Sequence, residues 1–351
     1  RNITSIADFI ASRFGKSHGL AALVTIIAVT ASVPYLALQF KAVAMSIGIL
    51  GGESVQRTPL LDDSALYIAA LLAMFAILFG TRRIDATEHH HGMMLAIAAE
   101  SVVKLIAFIA IGVYALHVSG VGAAFAPPVR EFAARGLPSG FVSQCLLAFV
   151  AMFCLPRQFQ VGVIECENPA DVRHARRLFP LYLLVICVFV LPIAAAGAPA
   201  AALGVDPDAY VLWLPLARGH DLLALFTYLG GFSAATGMVI VESVALSTMI
   251  SNDLVVPALL RIRRLGLEQR DLSATVLTVR RIAIVLLAML AYAYYRATAL
   301  NVQLASIGLL AFVALAQFAP AIISGLYWRG ASRIGVSAGL IAGFSLWVYT
   351  L

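Results

Sequence analysis

The sequence predicts an all-α protein, a polytopic membrane helix bundle with about nine transmembrane helices. Long apolar stretches recur from about residue 20 to the end of the chain. Hydrophobic residues make up 62% of the sequence and charged residues 12%, whereas soluble domains carry about 25% charged residues. The basic residues fall mainly on every second connection between the apolar stretches. These three observations exclude an ordinary soluble domain.

Nine apolar stretches are long enough to be considered as transmembrane helices, since a helix that crosses a bilayer needs about 20 mostly apolar residues. A spanning segment must also satisfy its own backbone hydrogen bonds, so each stretch is predicted to be helical. The connections leave little room for a soluble domain, and residues 1–351 are interpreted as one transmembrane domain. The predicted spans lie near 20–46, 64–80, 92–117, 140–162, 178–197, 220–250, 278–297, 304–327 and 334–351.

The distribution of basic residues predicts the orientation of the helices. Five connections, at 1–16, 82–83, 157–177, 261–281 and 329–333, carry 17 Lys and Arg residues, and the connections between them carry 5. Positively charged loops remain cytoplasmic, so the basic set is predicted to face the inside of a bacterial inner membrane. The net charge of +6 is explained by topology and anionic headgroups. The lipid bilayer is thus an expected partner, and nucleic acid is not.

Prolines and glycines interrupt several of the predicted spans. A helix break that faces the protein interior exposes carbonyl and amide groups, which can hold ions and polar solutes. The alternative is that proline and glycine are simply more frequent in membrane helices. The predicted interruptions are Pro34 in the first span, Pro156 in the fourth, Gly230, Gly231 and Gly237 in the sixth, and Pro320 in the eighth.

Four ionisable residues lie within predicted spans, where such residues usually face a bundle interior or a cavity. Glu100 and Lys104 are four residues apart, a spacing that predicts an intrahelical ion pair, with a proton or solute relay as the alternative. Lys41 is expected either to reach the outer interface or to contact a solute or Glu242. Glu242 has no partner in its own helix, so it needs a partner elsewhere or must be protonated.

The residues give no pattern typical of a catalytic site. There is no Ser-His-Asp set, no pair of catalytic carboxylates and no kinase signature. The four cysteines form no CxxC pair, so neither a disulfide framework nor a metal site is expected from them. The three adjacent histidines at positions 89–91 fit a solvated loop better than a metal site. No cofactor is therefore predicted for this chain.

Four stretches resemble a known family: PYLALQFKAV at 34–43, FGTRRIDATE at 79–88, LPRQFQV at 155–161 and RRLFPLYLL at 176–184. They look like the solute:sodium symporter family, and most like the symporter-like membrane domain at the front of certain bacterial sensor histidine kinases. The resemblance implies a leucine-transporter-type inverted-repeat fold. The chain would then be a fragment that lacks the family's first helices and any domain that follows.

The resemblance also implies a set of site residues. The substrate-binding residues would be Tyr35, Gln39, Phe153, Pro156 and Glu242, and the ion-site region would be Asp85, Thr236, Gly237 and Met238. Neither Gly237 nor Met238 offers a side-chain oxygen, which a hard cation such as sodium requires. Thr236 could substitute only if the register shifted by one residue. The resemblance therefore implies a sodium site that this chain fills poorly.

Three functions are compatible with this interpretation. The first is an input domain that binds a small solute, such as an amino acid, and signals to a cytoplasmic kinase domain in the same polypeptide, with or without transport. The second is an ordinary sodium- or proton-coupled symporter for a small organic solute. The third is a membrane anchor without a solute site, which the buried charge of Glu242 argues against. The first is favoured, and alternating access is the expected mechanism.

Overall fold

The computed structural model describes residues 3–52, 59–81, 91–166, 168–261, 273–298 and 302–351. These residues form helices, and no strand occurs among them. In chain order the α-helices are α1 (Ile6–Arg13), α2 (His18–Gly51), α3 (Ser64–Gly80), α4 (His91–Ser119), α5 (Val121–Arg135), α6 (Phe141–Cys154), α7 (Pro156–Phe159), α8 (Asp171–Gly197), α9 (Tyr210–Leu216), α10 (Asp221–Met249), α11 (Val256–Arg261), α12 (Ser273–Thr298), α13 (Leu304–Ala316), α14 (Ala319–Tyr327) and α15 (Arg333–Thr350).

Six helical segments within the described residues are long and apolar enough to cross a membrane. They are His18–Gly51, His91–Ser119, Asp171–Leu203, Asp221–Arg261, Ser273–Thr298 and Leu304–Tyr327. A seventh span forms if α6 and the bent segment after it are counted together. The other two predicted spans correspond to shorter helices, α3 with 17 residues and α15 with 18. The all-helical, multi-pass prediction is confirmed, and the count of nine stays a prediction.

Helix α2 lies at the centre of the larger hydrophobic core and packs against α3, α10, α12 and α13. Two-thirds of its most apolar window is buried, whereas only 11% of the corresponding windows of α4 and α8 is buried. Large apolar residues such as Leu95, Val102, Leu184 and Val188 are exposed on these two helices. A soluble monomer rarely exposes so much apolar surface, so this surface fits a bilayer.

Small residues allow α4 to approach its neighbours closely, as is common for membrane helices. A Cβ atom added at Gly112 would collide with the Phe189 ring on α8. A Cβ atom at Gly230 on α10 would collide with the Ala107 side chain on α4. This close crossing of α4 and α10 fixes the distance across which their polar residues can meet.

Only some of the predicted interruptions break a helix. Helix α2 continues through Pro34, and α10 continues through Gly230, Gly231 and Gly237. Pro156 does mark a break, and Pro320 lies at the start of α14, just after α13 ends. Membrane helices tolerate proline where neighbouring groups satisfy the freed backbone. For Pro34 and the three glycines the prediction of an interrupted helix is therefore wrong.

A polar cluster ties α3 to α12. The Asp63 carboxylate caps α3, since its Oδ1 accepts a hydrogen bond from the Ala65 amide at 3.0 Å. Its Oδ2 accepts from the Tyr292 hydroxyl and from the Arg296 guanidinium, each at 2.9 Å. Asp63 and Tyr292 are buried. One carboxylate thus organises the start of one helix and the end of another.

Candidate functional site

A sharp bend between α6 and α7 brings a basic residue against α2. The chain turns by 55° there. Leu155 at the junction is extended, with φ −65° and ψ 126°, and Pro156 begins α7. Because proline restricts the residue before it to extended conformations, the Leu-Pro pair accounts for the bend. The next residue, Arg157, holds its guanidinium carbon 4.7 Å from the centre of the Tyr35 ring.

Arg157 also lines a cavity of about 590 Å³ between α4, α7, α8 and α10. Two more charged side chains, Glu100 and Lys104 on α4, line the same cavity. Helix α8 contributes a mostly apolar wall that includes Leu178 and Phe179. The lining residues of α4, and all of those of α8 except Ile186, come from the first half of their helix. The cavity therefore combines a charged surface with an apolar one.

Glu100 is held by the backbone of α10. The Gly237 amide donates a hydrogen bond to its Oε1 at 2.8 Å. A Cβ atom at position 237 would collide with the Glu100 carboxylate. Glycine is therefore needed here so that the carboxylate can reach the helix backbone. The position that the family resemblance assigned to a sodium ligand instead binds a carboxylate.

Lys104 lies on the same wall but does not form the predicted ion pair. Its ammonium nitrogen is 5.9 Å from the centre of the Tyr182 ring on α8. The Tyr182 hydroxyl donates to the Ser101 carbonyl at 3.4 Å, which joins α8 to α4. Among the described residues, no contact within ion-pair distance joins Lys104 to Glu100. The prediction of a direct ion pair is therefore wrong. The carboxylate prefers the Gly237 amide, and the ammonium lies over an aromatic face.

Glu242 is fully buried beside this cavity, between α10 and α2. The Ser32 hydroxyl donates to its Oε1 at 2.5 Å. Its other oxygen, Oε2, has no hydrogen-bond partner within the described part of the chain. The backbone amide and the guanidinium of Arg157 both lie near the carboxylate. The sequence predicts that Glu242 needs a partner outside its own helix. The structure provides two, Ser32 on α2 and Arg157 on α7.

Tyr35 connects the buried carboxylate to the cavity. Its hydroxyl donates to the sulfur of Met238 at 3.1 Å, and Met238 lines the cavity. The other face of α2 near Tyr35 is closed by Phe312, whose ring centre is 6.5 Å away. Gln39 is buried one turn further along α2. Tyr35, Pro156, Met238 and the two glutamates therefore belong to one region.

Three other predicted site residues do not join this region. Phe153 is 56% exposed and packs edge-on against Phe149 of its own helix, so its placement in a solute site is corrected. It lies before the bend and does not line the cavity. The Thr236 hydroxyl donates to the Phe232 carbonyl within α10 at 2.9 Å. Asp85 lies outside the described residues.

Sequence reasoning missed Arg157, Ser32 and Tyr182. The sequence analysis places Arg157 in a cytoplasmic connection, as the first basic residue of 157–177. A basic residue directly after a Leu-Pro break was the available signal, since such a break turns the chain. Ser32 and Tyr182 carried no signal, because each is an ordinary residue within an apolar stretch.

A half-buried carboxylate lies apart from the cavity, where α10 continues into the π-helical segment Ile250–Val255. Asp253 Oδ2 accepts hydrogen bonds from Thr25 Oγ1 at 3.2 Å and from Ser5 Oγ at 3.5 Å. Ser5 caps α1, so this carboxylate joins α1, α2 and the end of α10. Its donors come from the chain itself, which indicates a structural role.

No family of known proteins matches the chain, and no curated protein matches it. The class that the structure defines is an all-helical, multi-pass membrane protein with a charged cavity among its helices.

Proposed function

We propose that the chain is the solute-recognition domain of a symporter-like protein in the bacterial inner membrane. It binds a small organic solute in the cavity between α4, α7, α8 and α10. The observation that carries the proposal is the set of Glu100, Lys104 and Arg157 on the wall of that cavity. Ionisable residues inside a membrane are costly and mark solute or ion pathways.

The favoured role is that of an input domain, which passes its solute-bound state to a cytoplasmic kinase domain of the same polypeptide. Two features support this choice over an ordinary symporter. One is the resemblance of the four sequence stretches to the kinase-linked group. The other is Gly237, where a sodium ligand was expected and where a glycine holds Glu100 instead. The alternative is a sodium- or proton-coupled symporter.

The bend between α6 and α7 provides a mechanism for either role. Arg157 lies just after the bend, so a change in its angle would move the guanidinium relative to Tyr35 and the cavity. A solute that binds the two arrangements with different affinity shifts their populations by that difference. In a sensor the shift is transmitted to the kinase, and in a transporter it opens the site to the other side.

Solute binding is tested by thermal unfolding of the purified chain in lipid nanodiscs, with a panel of amino acids and small organic acids. A ligand at 100 times its Kd stabilises a protein by about 2.7 kcal/mol, which gives a measurable rise in Tm. We expect at least one compound to raise Tm in the wild type but not in Lys104→Met. Glu131→Gln is the control, because Glu131 is exposed on α5. Equal stabilisation of both variants, or of none, would contradict the proposal.

Transport and sensing are separated by two further measurements with the compound that binds. Uptake into proteoliposomes in sodium-free and sodium-containing buffer tests the symporter alternative. Phosphorylation of the longer polypeptide from labelled ATP, with and without the compound, tests the sensor. Strong sodium dependence of binding would remove the argument drawn from Gly237.

A further inference from the structure

The region around Glu242 contains two acids and two bases. The acids are Glu100 and Glu242, and the bases are Lys104 and Arg157. Lys104 lies within electrostatic range of both Glu100 and Arg157, and Arg157 lies within range of Glu242. When all four are ionised, the region is formally neutral. A neutral arrangement is favoured inside a membrane, where an uncompensated charge is costly.

Other titratable groups near α10 do not change this balance. Tyr35 on α2 lies within range of Glu242 and is formally neutral as a phenol. On α3 the single titratable residue of the helix, Tyr67, is in its first turn. On α12 the residues between the Arg280–Arg281 pair and Tyr292 are apolar. Asp253, on the continuation of α10, is held by Thr25 and Ser5 and does not line the cavity. The four charges are therefore the charged groups that line or adjoin the cavity among the described residues.

The bases, more than the acids, are available to a solute. Glu100 also lines the cavity, but its Oε1 already accepts the Gly237 amide. Glu242 is fully buried behind the cavity with Ser32. Lys104 and Arg157 line the cavity, and the buried Nε of Arg157 has no hydrogen-bond partner among the described residues. Arginine and lysine bind carboxylates through charge-assisted hydrogen bonds. An anionic group is therefore the natural partner of this wall.

Helix α8 requires the solute to have an apolar part as well. Leu178, Phe179, Leu183 and Ile186 give the cavity an apolar surface. A solute that fits both surfaces carries one carboxylate and an apolar body. A dianion would leave a larger uncompensated charge, and an additional ammonium group would approach the two bases.

Binding of a monoanion would disturb the charge balance. Once a carboxylate occupies Lys104 and Arg157, the four groups and the solute together carry one negative charge. The Arg157 guanidinium lies near Glu242, as does the Arg157 backbone amide. When the solute engages the guanidinium, the positive charge that stabilises the ionised Glu242 is partly neutralised, and the contacts of Ser32 and of the amide remain. Glu242 Oε2 has no partner within the described chain and is free to take a proton. Protonation of this oxygen restores neutrality.

We propose that the cavity binds a monocarboxylate with an apolar body on Lys104 and Arg157, and that Glu242 takes up one proton with each anion bound. The proton comes from water or buffer acid and forms one O–H bond on the carboxylate, with no change of oxidation state. This inference rests on the proposed solute site and adds the substrate class and the coupling ion.

The test measures proton uptake during binding to the chain in lipid nanodiscs. Benzoate and butyrate are the monocarboxylate probes, and norvaline, butylamine and butanol are the zwitterionic, cationic and neutral comparisons. Titration calorimetry in two buffers of different ionisation enthalpy gives the number of protons taken up per ligand.

We expect about one proton per benzoate in the wild type and in the exposed-surface control Glu131→Gln. We expect Arg157→Gln to weaken benzoate binding about tenfold or more, as for loss of a hydrogen bond to a charged group.

Glu242→Gln should bind benzoate without proton uptake and without pH dependence. If that variant does not fold, infrared difference spectra of the wild type replace it, since benzoate binding should produce the carbonyl band of a protonated carboxyl group. Benzoate binding without proton uptake in the wild type would overturn the inference. Binding of norvaline or butylamine in preference to both carboxylates would also overturn it, while leaving the proposed solute site intact. If none of these probes and no member of the wider panel bound, both proposals would fall.

Discussion

The Glu100 carboxylate reaches the backbone of α10 only because position 237 has no side chain. The amide of Gly237 gains a charged acceptor, and the carboxylate gains a donor inside the bundle. Glu242 is satisfied in a similar way by Ser32, from a different helix. Each carboxylate near the cavity thus accepts a hydrogen bond from a small residue of another helix.

Gly237→Ala is expected to lower the free energy of unfolding by about 1–3 kcal/mol, the usual cost of forcing extra atoms into a packed site. The added methyl group would collide with the Glu100 carboxylate and break its bond to the amide. Gly231→Ala is the matched control on the same helix, because a Cβ atom there meets nothing within 4 Å. Thermal unfolding of both variants in nanodiscs measures the difference. Equal Tm values would contradict the role given to Gly237.

Ser32→Ala is expected to destabilise the chain by about 1–3 kcal/mol, because it removes a donor from a fully buried carboxyl group. Ser46→Ala is the control on the same helix. Its hydroxyl bonds only the Ala42 carbonyl one turn earlier, so its loss should change Tm little. If both serine variants unfolded at the same temperature, the Ser32–Glu242 bond would not contribute as argued.

The sequence showed that Glu100, Lys104 and Glu242 needed explanation, because charged residues stand out in apolar stretches. It could not show their partners. Glu100 meets a residue 137 positions away, and Glu242 meets one 210 positions away. Spacing along one helix predicted the Glu100–Lys104 pair. Glu100 instead accepts a hydrogen bond from the Gly237 amide, because α4 and α10 cross closely enough for the carboxylate to reach that buried amide. Contacts of this kind depend on tertiary packing and leave no local pattern.

Among the elements, α3 and α12 are joined by the Asp63 carboxylate, which serves both as a helix cap and as an ion-pair partner. Such dual use makes the junction sensitive to the charge of one side chain. Tyr292 contributes a second donor from α12. The packing of α12 against α3 is therefore supported by polar contacts as well as by apolar ones.

Asp63→Asn should keep the cap, since the amide oxygen can still accept from the Ala65 N–H, but it removes the charge that Arg296 faces. We expect a loss of about 1.5–3 kcal/mol in the free energy of unfolding, the range for hydrogen bonds to charged groups. Asp62→Asn is the neighbouring control, because Asp62 is exposed. Unfolding followed by tryptophan fluorescence or calorimetry checks the result. A loss of similar size in Asp62→Asn would indicate a general charge effect and contradict the junction.

Element positions were largely predictable, because apolar length and composition determine which segments can cross a bilayer. The positions of breaks within the helices were less predictable. Pro156 bends the chain and Pro34 does not, although both are prolines within apolar stretches. Whether proline breaks a membrane helix depends on how neighbouring segments satisfy the backbone, which the local sequence does not encode.

For the molecule as a whole, the helices pack in two groups. The larger core surrounds α2, and a smaller one joins α4, α8 and α9 through residues such as Ile111, Ile193 and Leu214. The cavity lies where α4 and α8 of the smaller group meet α7 and α10. A site between two packing groups is well placed to respond when one group moves relative to the other.

The orientation of the chain is tested by labelling single cysteines from outside the cell. In a background without the other native cysteines, Cys166 is expected to react only after the cells are opened, because it lies in a basic connection. Ala134→Cys on α5 should react with a membrane-impermeant maleimide in intact cells. Reversal of these two results would invert the orientation and remove the symporter placement built on it.

The position of the cavity along its helices has a consequence for what the protein can report. Most of its lining on α4 and α8 belongs to the first halves of these helices. If the basic connections face the cytoplasm, as the sequence predicts, both helices start at the cytoplasmic surface. In that orientation the cavity would be filled by solute that is already present in the cytoplasm. Occupancy would then follow internal supply, so that the protein measures what has been stored or consumed rather than what arrives from the medium.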